Sequence, residues 1–176
     1  MRKLTTLSLC LLLIAAVATA EEAKKKKPLS PPATTEAKIG GRNITINYGA
    51  PSKRERAIMG ELVPYGQLWR TGANAATTLT TDGDLMIGSL LVPAGSYSLY
   101  TVPGEKEWEL IVNKQTGQWG TEHDDTQDLG RVKMKVTPVR DTVETFAIDV
   151  KSTGAKSGTL SLTWENTSAS VGLMVH

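Results

Sequence analysis

The residues best suited to chemistry lie in one irregular segment between two predicted strands. Arg70 carries a planar guanidinium with five N–H donors, which suits a carboxylate, a phosphate or a sulfate. Trp69 and Tyr65 supply aromatic faces on which a sugar ring can stack. Together with Arg56 and Asn74, these side chains predict a small polar pocket with aromatic walls, which would bind an anionic or sugar-like ligand.

The same segment also has a purely structural interpretation. Gly72 marks a turn with unusual backbone angles, and Asn74 can hydrogen-bond its own backbone. Arg70 can bind loop carbonyls, and Trp69 can fill the core. A binding site requires the segment to be exposed and concave, whereas a structural role requires both side chains to be buried with the guanidinium donors saturated.

A second polar cluster contains five residues with metal-ligand chemistry: Glu122, His123, Asp124, Asp125 and Asp128. Its spacing fails the calcium-loop template, because Leu129 stands where Gly is required and Lys135 where Glu is required. Zinc would need ligands from elsewhere, and the only other histidine is His176. We therefore expect a solvated acidic loop, with no metal and no cofactor. The neighbouring Trp119 is predicted to fill the core, and a stacking surface for a ligand is the alternative.

The sequence offers little support for catalysis. It contains no G-x-S-x-G elbow, phosphate loop, dinucleotide fingerprint or H-E-x-x-H string. A Ser-His-Asp triad would depend on His123 or His176. Glu107, Glu109 and Glu144 have the chemistry for glycoside hydrolysis, but they are spaced as on the wet face of a strand. The sequence thus favours a protein without catalytic residues, and a hydrolase is the alternative.

Period-two alternation of apolar and polar residues dominates the chain after residue 35, and helical periodicity is nearly absent. The alternating runs are residues 43–48, 96–102, 108–112, 131–136, 145–150, 160–164 and 171–175. Residues 103–106 have the composition of a hairpin turn. Many short strands at this spacing predict a single all-β domain, an antiparallel β-sandwich or a jelly-roll-like barrel. The one exception is a helical turn expected at residues 55–59.

The first twenty residues combine a basic start, an apolar run and small residues at Ala18 and Ala20. This pattern predicts a signal peptide over residues 1–20, export to the periplasm or the medium, and no integral membrane segment after cleavage. Residues 21–35 are rich in Lys and Pro and are predicted to be a disordered spacer. Residues 36–176 then form the single domain.

Charge and cysteine content restrict the partners. The chain has 20 Lys and Arg against 18 Asp and Glu, a net charge of +2. Arg2 and Lys3 in the predicted signal peptide account for that excess, so nucleic acid is not expected as a partner. Cys10 is the only cysteine, and it also lies in the predicted signal peptide. The partners that remain are a small-molecule or glycan ligand, or an envelope protein bound through a sheet edge or face.

Five motifs spread along the chain carry a family resemblance. They are SPP at residues 30–32, YGAP at 48–51, VPYGQLWRTGANAAT at 63–77, AGSYSLYTVP at 94–103 and QWG at 118–120. Together they resemble the bacterial family called domain of unknown function 2911, whose members are exported proteins with no established biochemical role. The resemblance implies export and a domain boundary more than a chemistry. The sequence departs from the usual family pattern at Ala75, where Glu is expected, so a shared site that depends on that acidic residue would be altered here.

Overall fold

The computed structural model describes residues 28–176, which form nine β-strands, one short 3-10 turn at Asp125–Gln127 and no α-helix. The strands are β1 (Pro32–Ile39), β2 (Arg42–Gly49), β3 (Thr77–Thr81), β4 (Leu85–Ile87), β5 (Leu90–Val92), β6 (Gly95–Val102), β7 (Glu107–Asn113), β8 (Asp128–Ser152) and β9 (Ser157–Val175). The expected signal peptide and the first part of the expected spacer lie outside these residues.

All strand pairs are antiparallel and belong to one sheet, with the order β1-β2-β3-β6-β7-β8-β9-β4-β5. The two ends of this sheet do not join, so the fold is sandwich-like and not a closed barrel. The predicted all-β, antiparallel class is confirmed. Within the described residues, no helix has the length and hydropathy of a membrane span.

Alternating burial along the strands builds one main core. In β7, for example, Trp108, Leu110 and Val112 belong to the main core, whereas Ile111 is buried in a second, smaller cluster, because successive side chains of a strand point to opposite faces. The largest side chains of the core are aromatic: Trp108 and Trp164 are each 2% exposed, and Phe146 is 1% exposed. Burial of these rings stabilises the fold and provides the rigid base of the connection between β2 and β3.

The long hairpin of β8 and β9 folds the sheet over this core. The alternating runs at residues 131–136 and 145–150, which suggest two strands, are parts of β8, and bulges interrupt its pairing with β9 between Pro138 and Ala147. Bulges bend a strand, and the second half of β8 lies against the first strands of the sheet. There the backbone N–H of Ile148 donates to the Tyr48 hydroxyl at 3.2 Å.

Two local features of the structure differ from the sequence predictions. The helical turn expected at residues 55–59 does not form, because Arg54 (φ 50°) and Glu55 (φ 62°) adopt left-handed backbone angles. The strand β1 begins at Pro32, inside the expected spacer, and pairs with β2 from Pro32 opposite Gly49 onwards. Proline is tolerated here because β1 is an edge strand and Pro32 is its first residue.

Candidate functional site

The connection between β2 and β3, residues 50–76, carries the candidate site. Backbone pairing fixes this irregular segment to the rest of the fold. Trp69 donates its N–H to the carbonyl of Thr101 at 2.7 Å and accepts the N–H of Thr101 at 2.9 Å. Further isolated bridges join Ser52 to Thr145 and Ala75 to Trp119. The connection is therefore an ordered scaffold for its side chains.

A cleft of about 620 Å³ opens between this connection and the N-terminal end of the described chain. Three arginines line it, Arg54, Arg56 and Arg70, and no acidic residue in the described part of the chain does so. Trp69 and Trp164 contribute apolar surface. The volume is within the range of small-molecule sites, roughly 300–1,000 Å³. We call this hollow the arginine cleft.

Arg70 is half-buried, and most of its N–H donors have no hydrogen-bond partner within the described structure. Its Nη1 donates to the carbonyl of Asn74 at 3.5 Å, which is at the long limit for a hydrogen bond. Within residues 28–176, none of the ion pairs includes Arg70. The structural interpretation, in which loop carbonyls saturate this guanidinium, therefore does not describe the observed geometry.

Backbone carbonyls hold the other two arginines in place. Arg56 donates from Nε to the carbonyl of Lys53 at 2.9 Å and from Nη2 to that of Ser52 at 2.7 Å. Arg54 donates from Nη2 to the carbonyl of Leu29 at 2.9 Å. Neither arginine forms an ion pair with a described carboxylate. Both guanidinium groups are thus positioned while their charge stays uncompensated.

Two glutamates near the cleft bind backbone amides of the connection. Glu165 accepts the backbone N–H of Met59 at 3.2 Å and forms an ion pair with Lys53 at 3.6 Å. Glu144 accepts the backbone N–H of Arg54 at 2.9 Å. These carboxylates fix the path of the connection and leave the three guanidinium groups of the cleft without a counter-charge.

Trp69 packs against the core and also lines the arginine cleft. Its ring packs edge-on against Phe146 at 5.0 Å and Trp108 at 6.1 Å, and it stacks on Trp164 at 6.0 Å with an interplanar angle of 17°. The side chain is only half-buried, and its remaining surface lines the arginine cleft. One part of the Trp69 ring therefore belongs to the core and another part forms a wall of the cleft.

The segment after Arg70 follows an unusual backbone path. Thr71 (φ 54°), Gly72 (φ 151°) and Asn74 (φ 67°) all have positive φ, and such angles are costly for a β-branched residue. Thr71 is fully buried, and its carbonyl accepts the hydroxyl of Thr77 at 2.7 Å. The predicted turn at Gly72 is confirmed. The turn leaves Asn74 exposed at the mouth of the cleft.

Two aromatic residues are placed differently from the predicted pocket. Tyr65 is 39% exposed and does not line the cleft; its ring edge lies over Gly60. Trp119 is 52% exposed, so its predicted role in the core is wrong. The preceding Gln118 is the buried one and donates from Nε2 to the Tyr100 hydroxyl at 3.0 Å. Trp119, its extended neighbour, consequently faces outward.

Sequence reasoning placed Arg56, Trp69, Arg70 and Asn74 in one site, and the structure brings these four together. It did not identify Arg54 or Trp164 as lining residues. The basic run SKRER at residues 52–56 was a signal for the first. Trp164 had no comparable signal, because its alternation with Leu160 and Leu162 is that of an ordinary core position on a strand.

The acidic cluster is partly folded into the domain. Within residues 28–176, no group of three or more His, Cys, Asp or Glu side chains is placed to hold a metal ion. Asp128 lies 2.8 Å from Nε2 of His123 and accepts hydrogen bonds from Asn113 at 2.8 Å and Arg131 at 3.1 Å. Burial alone would raise the pKa of Asp128, but these hydrogen bonds outweigh it and lower the pKa below its ordinary value.

The Asp128 contacts predict a loss of stability in acid. Because its pKa is lower in the folded than in the unfolded chain, protonation favours unfolding; the stabilisation is complete above about pH 4 and disappears as the pH falls through the folded pKa. We expect Asp128→Asn to lower the free energy of unfolding at pH 7 by about 2 kcal/mol and to weaken its dependence on pH in acid. Urea unfolding between pH 7 and pH 3 measures both effects. An equal pH dependence in Asp128→Asn and in the exposed control Asp125→Asn would contradict this assignment.

A family model described as "Protein of unknown function (DUF2911)" matches residues 30–173. The chain belongs to the DUF2911 family. The match covers every lining residue of the arginine cleft except Pro28 and Leu29, and it confirms the resemblance carried by the sequence motifs. Neither the curated proteins nor the solved structures contain a match to this DUF2911 chain.

Proposed function

We propose that this DUF2911 protein is a non-catalytic binding module whose ligand is a small anion held in the arginine cleft. The observation that carries the proposal is that Arg54, Arg56 and Arg70 line one cleft that has no acidic lining residue in residues 28–176. A guanidinium presents parallel N–H donors that match a carboxylate or phosphate. Since two of the three are already held by carbonyls, anion binding would cost little further side-chain entropy.

The aromatic residues favour an anion over a neutral sugar. Tyr65 lies outside the cleft, and Trp69 is packed against Phe146 and Trp164, so little ring surface remains for stacking. Sugar recognition by stacking needs an accessible ring face, whereas anion recognition needs only unpaired donors. The guanidinium groups are thus the stronger feature of the site.

The hydrolase alternative has less support, because structural contacts engage its candidate groups. Glu107 pairs with Lys133 at 2.8 Å, and Glu109 with Arg131 at 3.3 Å. His123 contacts Asp128 and packs edge-on against Tyr100. These residues stabilise the sheet and the acidic loop.

An envelope-protein partner is a second candidate function. Leu62 (47% exposed) and Leu68 (44% exposed) line a hollow that they share with Gly120, next to the exposed Trp119. Tryptophan is enriched among the residues that dominate protein contacts, and exposed apolar side chains that form one patch mark such contacts. The signal pattern at residues 1–20 supports a proposed location in the periplasm or the medium for either function.

A thermal-shift titration with inorganic phosphate, sulfate and acetate tests anion binding. A ligand at a hundred times its Kd adds about 2.7 kcal/mol to the stability of the folded state, which raises the Tm by roughly 5 to 10 °C. We expect Arg70→Ala to abolish the shift while remaining folded, because Arg70 makes only one long hydrogen bond within the described structure. Added NaCl should weaken binding.

Arg140→Ala is the matched control, since it removes the same charge at an exposed position on β8 outside the cleft. The proposal requires this variant to keep the full shift. Equal shifts in Arg70→Ala and Arg140→Ala would show that the anion acts through net charge, and no shift with any of the three anions would direct attention to a protein partner.

A further inference from the structure

A second hollow of about 460 Å³ adjoins the arginine cleft. The two share Pro28, Ser30, Ala73 and Asn74 as lining residues, so they meet at one boundary. No charged residue in the described part of the chain lines the second hollow, and most of its surface is apolar. We call it the outer groove. A cationic hollow and an uncharged, apolar one are thus adjacent, and at their boundary Nδ2 of Asn74 donates to the carbonyl of Ser30 at 3.3 Å.

The outer groove is built on the ends of the first three strands. Thr34 stands opposite Asn47, and Asn47 opposite Thr78, so the three residues form a row across the sheet. The Thr34 hydroxyl donates to the Asn47 side-chain oxygen at 2.8 Å, so these two polar groups already satisfy each other within the row. An apolar group can therefore bind in the groove without leaving many polar groups of the protein in need of new hydrogen-bond partners.

Small side chains keep this groove open. Ala73, Ala75 and Ala76 form one side of it, and Ala75 is exposed. Ala75 does not line the arginine cleft, so a larger side chain at this position would fill the groove and leave the three guanidinium groups in place. The two hollows can thus be perturbed separately.

We infer that the ligand is a free single-chain alkyl phosphate, an inference that rests on the proposed anion binding. The phosphate would lie among the arginines. A phosphate monoester carries about −1.5 to −2 charges and three acceptor oxygens, whereas a carboxylate carries one charge and two oxygens, so the phosphate is the better match to three guanidinium groups. The alkyl chain would cross over the hydrogen bond between Asn74 and Ser30 into the outer groove, where its burial removes apolar surface from water.

Calorimetric titration of the purified protein with methyl phosphate and with octyl phosphate below its micellar concentration tests this inference. Each buried methylene is worth about a fourfold gain in affinity, so we expect octyl phosphate to bind at least tenfold more tightly. Ala75→Trp should remove this gain and leave the affinity for methyl phosphate unchanged. Ala155→Trp, the same change at an exposed alanine outside both hollows, should keep the gain.

The outcomes separate the two proposals. Equal affinity for both phosphates, lost in Arg70→Ala, would overturn the amphiphile and leave the anion site intact. A chain-length gain that persists in a folded Ala75→Trp variant would also overturn it, because the tail would then lie elsewhere. Equally tight binding of neutral octanol would overturn the role of the phosphate group. Failure of both phosphates to bind would contradict the anion site and the amphiphile together.

Discussion

Replacement of Trp69 by alanine will lower the free energy of unfolding by about 3 kcal/mol, which corresponds to a Tm decrease of roughly 6 to 12 °C. The reason is the position of its ring among Phe146, Trp108 and Trp164, where truncation leaves a cavity bounded by three aromatic side chains. The backbone pairing of Trp69 with Thr101 does not depend on the side chain, so we expect the variant to fold. Urea unfolding monitored by far-UV circular dichroism measures the loss.

Trp119→Ala is the control for this substitution. Trp119 is 52% exposed and makes no aromatic contact within the described structure, so its truncation should change the free energy of unfolding by less than about 1 kcal/mol. Equal losses for the two tryptophans would mean that Trp69 is not part of the core, and the described packing would be wrong.

A single methyl group at Gly49 will destabilise the connection that forms the cleft. A Cβ at this position would lie 2.9 Å from the carbonyl carbon of Ala73 and closer still to its oxygen, while the Ala73 N–H donates to the Gly49 carbonyl at 3.2 Å. Backbone cannot yield as a flexible side chain does, so Gly49→Ala should cost at least about 2 kcal/mol. Because Ala73 and Asn74 line both hollows, phosphate affinity should fall in the same variant.

Two comparisons make this prediction specific. Gly172→Ala, at an exposed strand position with no atom within 4 Å of the added Cβ, should leave stability unchanged or raise it slightly. Ala73→Gly should not rescue Gly49→Ala, because the overlap is with the Ala73 carbonyl and not with its methyl group. Rescue by Ala73→Gly, or an unaltered Tm in Gly49→Ala, would show that the connection does not pack on β2 in this way.

The fold class could be predicted from the sequence because half-buried strands leave a local signature. The alternating runs at residues 43–48, 96–102 and 108–112 correspond to β2, β6 and β7. The continuity of β8 could not be predicted, since bulges near Pro138 and Val143 interrupt its alternation without ending the strand. β1 was placed partly in the spacer because its composition is polar and its pairing with β2 is a tertiary property.

The candidate site could be predicted only where its residues belong to the one irregular segment between β2 and β3. Trp69, Arg70 and Asn74 belong to one motif, and their convergence follows from a short turn. Trp164 belongs to β9, which is distant in sequence from the rest of the cleft. Arg54 adopts a left-handed backbone angle that the sequence does not predict. The overall charge of the chain is nearly balanced and does not indicate a local excess of positive charge. The excess arises because Glu144 and Glu165 bind backbone amides and form no ion pair with the three arginines.

Anion binding by Arg70 and its neighbours in the cleft can be observed directly through the arginine Nε–Hε resonances. In a titration of the ¹⁵N-labelled protein with inorganic phosphate, we expect the signals of Arg70 and Arg54 to shift saturably with one common Kd, while the signal of Arg140 stays in place. Small, non-saturating shifts of equal size at all arginines would mean that phosphate only screens the surface, and the arginine cleft would not be a binding site.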